Sequence, residues 1–120
     1  MNWDQVIIKI KEKIQLGTDV NTIVSTYRFV VEIPPYKCKQ YDNKEGYKVK
    51  IGENNAIKIP ISMLQTLFQN SQKNNNTYNT KVFRDAFPVQ AKNHGCHVHV
   101  IGKIFEKSGS VVNVGKDYLI

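Results

Sequence analysis

Between residues 47 and 59 the chain alternates apolar and basic side chains around a short polar break. Tyr47, Val49 and Ile51 alternate with Lys48 and Lys50. Gly52-Glu53-Asn54-Asn55 follows, and Ile57 and Ile59 then flank Lys58. Side chains on a strand alternate between two faces, so this period of two predicts a β-hairpin with one apolar face. If Val49, Ile51, Ile57 and Ile59 enter a core, Lys48, Lys50 and Lys58 must share the opposite face. A half-buried hairpin of this kind must bury its apolar face against another layer.

The flanking segments supply that layer. Trp3, Val6, Ile7, Ile10 and Ile14 fall at helical spacing and predict an amphipathic helix over residues 3–16. Asn2 suits its N-cap, Asp4 its first turn and Gly17 a left-handed C-cap. Residues 18–25 fit a helical turn (Val20, Ile23, Val24) but are rich in β-branched side chains. Residues 26–33 read as a strand, with Tyr27, Phe29, Val31 and Ile33 alternating with Arg28, Val30 and Glu32. Pro34-Pro35 ends it, because proline cannot donate to a ladder. A short strand follows at Tyr36–Lys39, and residues 42–46 form a turn.

Pro60 suits the first turn of a helix, and Ile61, Leu64, Leu67 and Phe68 continue that helix to residue 70. Residues 70–79 are rich in asparagine and predict a flexible loop. Asn79 or Thr80 caps a short helix through Phe87, stopped by Pro88. Residues 96–107 fit both periods. Length, Lys107 and the following Gly109 favour a helix, while the β-branched residues and Gly102 favour a strand; we take the helix. Val111, Val112 and Val114 then form a last strand.

The expected architecture is one α+β domain over residues 1–120. It has an N-terminal amphipathic helix, a small antiparallel sheet of about three strands and two or three C-terminal helices. A winged-helix-like arrangement is the alternative, favoured if residues 96–114 form a strand–turn–strand wing. No apolar run reaches the roughly 18 residues of a membrane span, and the N-terminus has no secretory pattern. Cys38 and Cys96 make no disulfide framework. These features suggest a cytoplasmic protein with no membrane partner.

Charge narrows the partner class. The chain of 120 residues carries 17 basic and 10 acidic groups, a net charge of +7. Fifteen of the basic residues are lysine, and only Arg28 and Arg84 are arginine. Lysine suits phosphate as a point charge, whereas arginine's planar fork reads base edges. The equipment is therefore for a nucleic-acid backbone, with little for direct base readout. Lys, Asn and Ile together supply 40 residues, a bias that A+T-rich coding DNA also produces. The cations placed together by pattern are Lys48, Lys50 and Lys58 on the hairpin, with Arg28 joining them if residues 26–33 pair in register. Lys81 and Arg84, three apart, share a face of the short helix.

All three histidines, His94, His97 and His99, lie within six residues beside Cys96. On a strand His97 and His99 would point the same way, as metal ligands do; on a helix they diverge and His94 approaches His97. No second ligand pair occurs. A metal-dependent hydrolase on this cluster is a secondary alternative. No paired carboxylates, phosphate loop or nucleophile elbow appears, so we assign no catalytic residue and no cofactor.

One resemblance spans residues 45–106. It rests on Gly46-Tyr47-Lys48-Val49-Lys50-Ile51-Gly52, Ile57-Lys58-Ile59-Pro60, Leu64 and Leu67, Phe83-Arg84, and Cys96 to Phe105. This order resembles small prokaryotic hairpin–helix DNA-binding modules found near restriction and mobile-element genes. The resemblance implies DNA as partner, with Lys58 and Arg84 as contacts. The leading expectation is a small, non-enzymatic DNA-binding accessory protein of a bacterial or mobile-element system. The alternative is a protein-interaction module, such as a homodimer, that uses a sheet edge and the Pro34-Pro35 region.

Overall fold

The computed structural model describes residues 1–21 and 28–120. Readings made for Ile23, Val24 and Tyr27 lie outside the described residues. Among the described residues the fold is α+β, with two antiparallel sheets and five α-helices.

The first helix, α1 (Trp3–Lys13), begins with a reciprocal cap. The Gln5 amide donates to Asn2 Oδ1 at 3.0 Å, and the Asn2 amide donates to Gln5 Oε1 at 3.1 Å. Val6 and Ile10 are fully buried, as their spacing requires. The helix ends at Lys13, three residues before the expected end. Gln15 turns its side chain back to donate to the carbonyls of Lys11 and Glu12, and Gly17 takes a left-handed φ of 85°.

Residues 17–20 then run beside β1 (Phe29–Glu32) rather than forming a helical turn. The Gly17 amide donates to Val30 O at 2.8 Å, and the Val20 amide donates to Arg28 O at 3.0 Å. β1 pairs with β3 (Lys44–Lys50), Phe29 opposite Lys50 and Val30 opposite Val49. An irregularity between Val30 and Glu32 shifts the register, so that Glu32 meets Lys48. This corrects the alternation expected for residues 26–33. Val30 is the core residue, at 1% exposure, while Phe29 lies on the face of Lys50.

β2 (Lys37–Cys38) pairs with the start of β3 after a cis Pro34–Pro35 peptide. A 3-10 turn over Lys39–Tyr41 leads to Asp42 and Asn43, both left-handed, and β3 begins at Lys44. β4 (Ala56–Pro60) returns along β3 in the expected hairpin, with Tyr47 opposite Ile59 and Val49 opposite Ile57. Those four side chains are buried. Gly46 is required by close approach: a Cβ there would overlap the Ile59–Pro60 backbone.

α2 (Ile61–Lys73) buries Met63, Leu64, Leu67, Phe68 and Ser71. It runs three residues beyond the expected end, and the segment expected as a flexible loop over 70–79 is largely regular. Its connection is short: Asn75 and Asn76 adopt left-handed φ values of 53° and 56°, which asparagine tolerates. β5 (Thr77–Tyr78) follows, with Tyr78 fully buried. Composition suggested a loop because asparagine is polar; here it also serves tight turns and caps. Asn79 Oδ1 accepts the Val82 amide at 3.1 Å and starts α3 (Thr80–Ala86).

Pro88 ends that helix and also opens another, α4 (Pro88–Asn93), at a position where its missing N–H is harmless. α5 (His97–Lys107) confirms the helical reading of residues 96–107. Its apolar stripe of Val100, Ile101, Ile104 and Phe105 is buried. β6 (Val112–Val114) and β7 (Asp117–Leu119) form a hairpin around Gly115, and β7 pairs with β5. The second sheet thus has the order β5-β7-β6, and the expected set of about three strands becomes, among the described residues, seven in two sheets. A strand–turn–strand over 96–114, the condition for the winged-helix alternative, is not met. Tyr78 joins the layers: its hydroxyl donates to Val98 O at 2.7 Å, and its ring meets Phe105 edge-on at 5.6 Å. Among the described residues no helix is long and apolar enough to cross a membrane.

Candidate nucleic-acid interface

The hairpin register places its lysines in one cluster. Lys48 on β3 stands directly opposite Lys58 on β4 and has Glu32 of β1 on its other side. Lys50, two residues along, stands between Phe29 and Ala56. All three lysines are half-exposed, while their neighbours Tyr47, Val49, Ile57 and Ile59 are buried on the opposite face. Directly opposed residues have Cβ atoms about 5 Å apart, and like charges there repel. Glu32 faces Lys48 but forms no ion pair with it among the described residues, where Lys48, Lys50 and Lys58 are free of carboxylate partners. The Lys50 ammonium lies 5.6 Å from the Phe29 ring centroid, a contact that holds the charge over the sheet. A shallow hollow that includes Lys48 and Lys50 is also lined by Val31, Glu53, Asn54, Asn55 and Ala56.

Arg28 does not join this face. Phe29 takes the position opposite Lys50, so the residue before it belongs to the parity of Val30 and Val49. The His99 pKa is lowered by burial first and then by the charge of Arg28. The Arg28 Nε is buried, with no hydrogen-bond partner among the described residues.

Lys81 and Arg84 lie on α3, both exposed. Lys81 is held 3.4 Å from Asp85 one turn on, a weak surface pair. Both line a hollow with Asn79, Thr80, Lys116 and Asp117. Lys116 comes from the β6–β7 turn and was not anticipated. Nothing local marks it: an isolated lysine after a turn glycine has no pattern, and only the pairing of β7 with β5 carries it to α3.

The histidines separate as a helix requires. His97 is at 1% exposure and stacks on Phe83 at 5.7 Å. Its Nδ1 lies 3.3 Å from the His94 carbonyl. The Lys58 backbone is also close, but Nε2 makes no hydrogen bond of good geometry. Burial lowers its pKa to about 4, so the ring is neutral at pH 7. His94 is exposed, with its ring 5.8 Å from that of His97. His99 turns elsewhere, with Nδ1 3.0 Å from the Tyr118 hydroxyl. Among the described residues no three His, Cys, Asp or Glu side chains are arranged to hold a metal ion.

Cys38 is buried, and that burial raises its thiol pKa; Cys96 is half-buried, and both are free. The Pro34-Pro35 region borders a hollow of about 250 Å³ shared with Lys11, Ile14, Ile33, Glu45 and Tyr47. Comparison with protein-family models, with curated proteins and with solved structures finds no match for this chain.

Proposed function

We propose that the chain is a non-enzymatic DNA-binding module that holds the duplex through its phosphates, with the open face of the first sheet as the principal contact. The observation that carries this reading is the direct opposition of Lys48 and Lys58, extended by Lys50. A sheet that serves stability alone gains by placing opposite charges across a strand pair. Lys48 has Glu32 opposite it on β1, but no ion pair among the described residues neutralises Lys48 or Lys58, and two facing ammonium groups form a surface that a polyanion relieves. Three lysines on one half-exposed face neutralise neighbouring phosphates without reading bases, in keeping with a chain that has only two arginines. Lys81, Arg84 and Lys116 form a second basic group on α3 and the β6–β7 turn.

The test is retention of a generic duplex at low salt by wild type and by the Lys48→Glu, Lys50→Glu, Lys58→Glu triple variant. Wild type is expected to bind and the triple variant to lose binding. A triple variant that folds and binds like wild type refutes the sheet as the contact surface. A wild type that ignores duplex at every salt concentration refutes the reading altogether.

A further inference from the structure

Two apolar side chains stand among the lysines of the first sheet. Phe29 on β1 lies directly opposite Lys50, while Val30 beside it turns into the core opposite Val49. The phenyl ring is therefore on the outer face, half-buried, with the Lys50 ammonium 5.6 Å from its centroid. The irregularity between Val30 and Glu32 sets two residues of β1 against one of β3. Val31 is the extra residue, and it lines the same hollow as Lys48 and Lys50. A lone exposed apolar residue is ordinary. What distinguishes Phe29 is that a cation without a carboxylate partner sits over its ring, with Lys48 and Lys58 in the next row of the sheet.

Charge divides this face. Lys48, Lys50 and Lys58 lie on β3 and β4. The carboxylates border it along β1 and at the hairpin turn. Asp19 pairs with Phe29 across the other edge of β1, where it accepts from the Asn21 amide and side chain, both at 2.7 Å. Glu32 stands opposite Lys48, and Glu53 lines the hollow from the turn. A polyanion is drawn to the β3–β4 side and held off the β1 side. Phosphates that follow the lysines leave their bases over β1, where the phenyl ring lies.

We infer that this face favours a single strand over a duplex, with one base stacked on Phe29 beside Val31 and the flanking phosphates on Lys48, Lys50 and Lys58. This rests on the phosphate-contact reading above and specifies the class of strand. In a duplex the bases are stacked on one another inside the helix, so only its phosphates meet the lysines. In a single strand each base has a free π-face, which an aromatic side chain takes whatever the base. Lys50 leaves the ring for a phosphate as the base arrives. One weak cation–π contact at an exposed site is thereby exchanged for a charge pair and a stack. A strand with no arginine on this face to read base edges remains tolerant of sequence, as stacking requires.

Fluorescence anisotropy with a labelled oligothymidine and with a labelled duplex of equal length, at one low salt concentration, tests this on wild type, Phe29→Leu and Phe29→Trp. Oligothymidine serves as probe because its bases do not pair with one another. Phe29→Leu keeps apolar bulk on the outer face and removes the aromatic surface, so the fold is preserved, and duplex affinity checks that it is. Wild type is expected to bind the single strand more tightly than the duplex. Phe29→Leu should weaken single-strand binding by roughly tenfold and leave duplex binding unchanged, and Phe29→Trp should keep the wild-type preference. Duplex bound as tightly as the single strand by wild type, or an undiminished single-strand affinity in Phe29→Leu, overturns the inference and leaves the duplex reading standing. Single-strand binding that is lost in Phe29→Leu, with no retention of duplex by wild type, keeps the stack and refutes the duplex as partner. Binding of neither probe refutes both.

Discussion

A methyl group at position 102 would meet the Tyr118 ring, so the glycine inside α5 exists for packing rather than for flexibility. In the sequence that glycine argued for a strand, because glycine in a helix interior costs about 1 kcal/mol against alanine. The aromatic ring it admits explains why the helix keeps it. His97 shows the same limit of local reading. It sits beside His94 and His99 in a motif that suggests ligands, yet its ring is buried against Phe83. Its pKa falls from an ordinary 6.5 to about 4. The folded value lies below the unfolded one, so between these limits the unfolded chain binds the extra proton. Stability is therefore lost as pH falls from 6.5 towards 4, by at most roughly 3 kcal/mol for this group. Urea unfolding at pH 7 and pH 4.5 measures it. His97→Phe keeps a stacking ring and removes the proton site, so its loss between the two pH values should be clearly smaller than that of wild type. Equal losses would show that His97 is not buried as a neutral ring.

At the scale of elements, the hairpin β3–β4 and the helix α1 were legible because each carries its own period, whereas residues 96–107 fit two periods and only length and the flanking Lys107 and Gly109 favoured α5. Boundaries were less legible. α1 stops early because Gln15 caps it from beyond, and α2 runs long because Ser71 faces the core, its hydroxyl donating to Leu67 O at 2.7 Å. β5 was hidden by its two-residue length, and β7 by the absence of alternation around Tyr118. The hairpin also makes function and stability oppose each other. Lys58→Glu sets an opposite charge across from Lys48, and such a swap contributes roughly 0.2–1 kcal/mol to a strand pair. The variant should unfold at a slightly higher urea concentration than wild type and bind duplex more weakly. A variant that is both less stable and unchanged in binding would contradict the repulsion on which the proposed contact rests.

For the whole molecule, the net charge of +7 is less informative than its division. Two groups stand out among the described cations: the sheet face, and Lys81, Arg84 and Lys116 on α3 and the β6–β7 turn. The two groups line separate hollows. If the sheet face alone engages phosphates, log K should fall against log salt with a slope of about −3. A slope nearer −5 would mean that the second group shares the same duplex. Binding that does not respond to salt would exclude phosphate contact by either. Fluorescence anisotropy of a labelled duplex across a salt series reads this directly.

Local periodicity was sufficient for the α+β class, the hairpin, the capped first helix and the common face of Lys48, Lys50 and Lys58, because each depends on residues a few positions apart. The position of Arg28 was beyond it. That residue's face depends on the register irregularity between Val30 and Glu32, which follows from how β1 and β3 settle against a shared core. The meeting of Lys116 with Arg84 and of His99 with Tyr118 was likewise invisible. The pairing of β7 with β5 brings the first pair together and the packing of α5 against the second sheet the other, and contacts made across the chain leave no spacing to read along it.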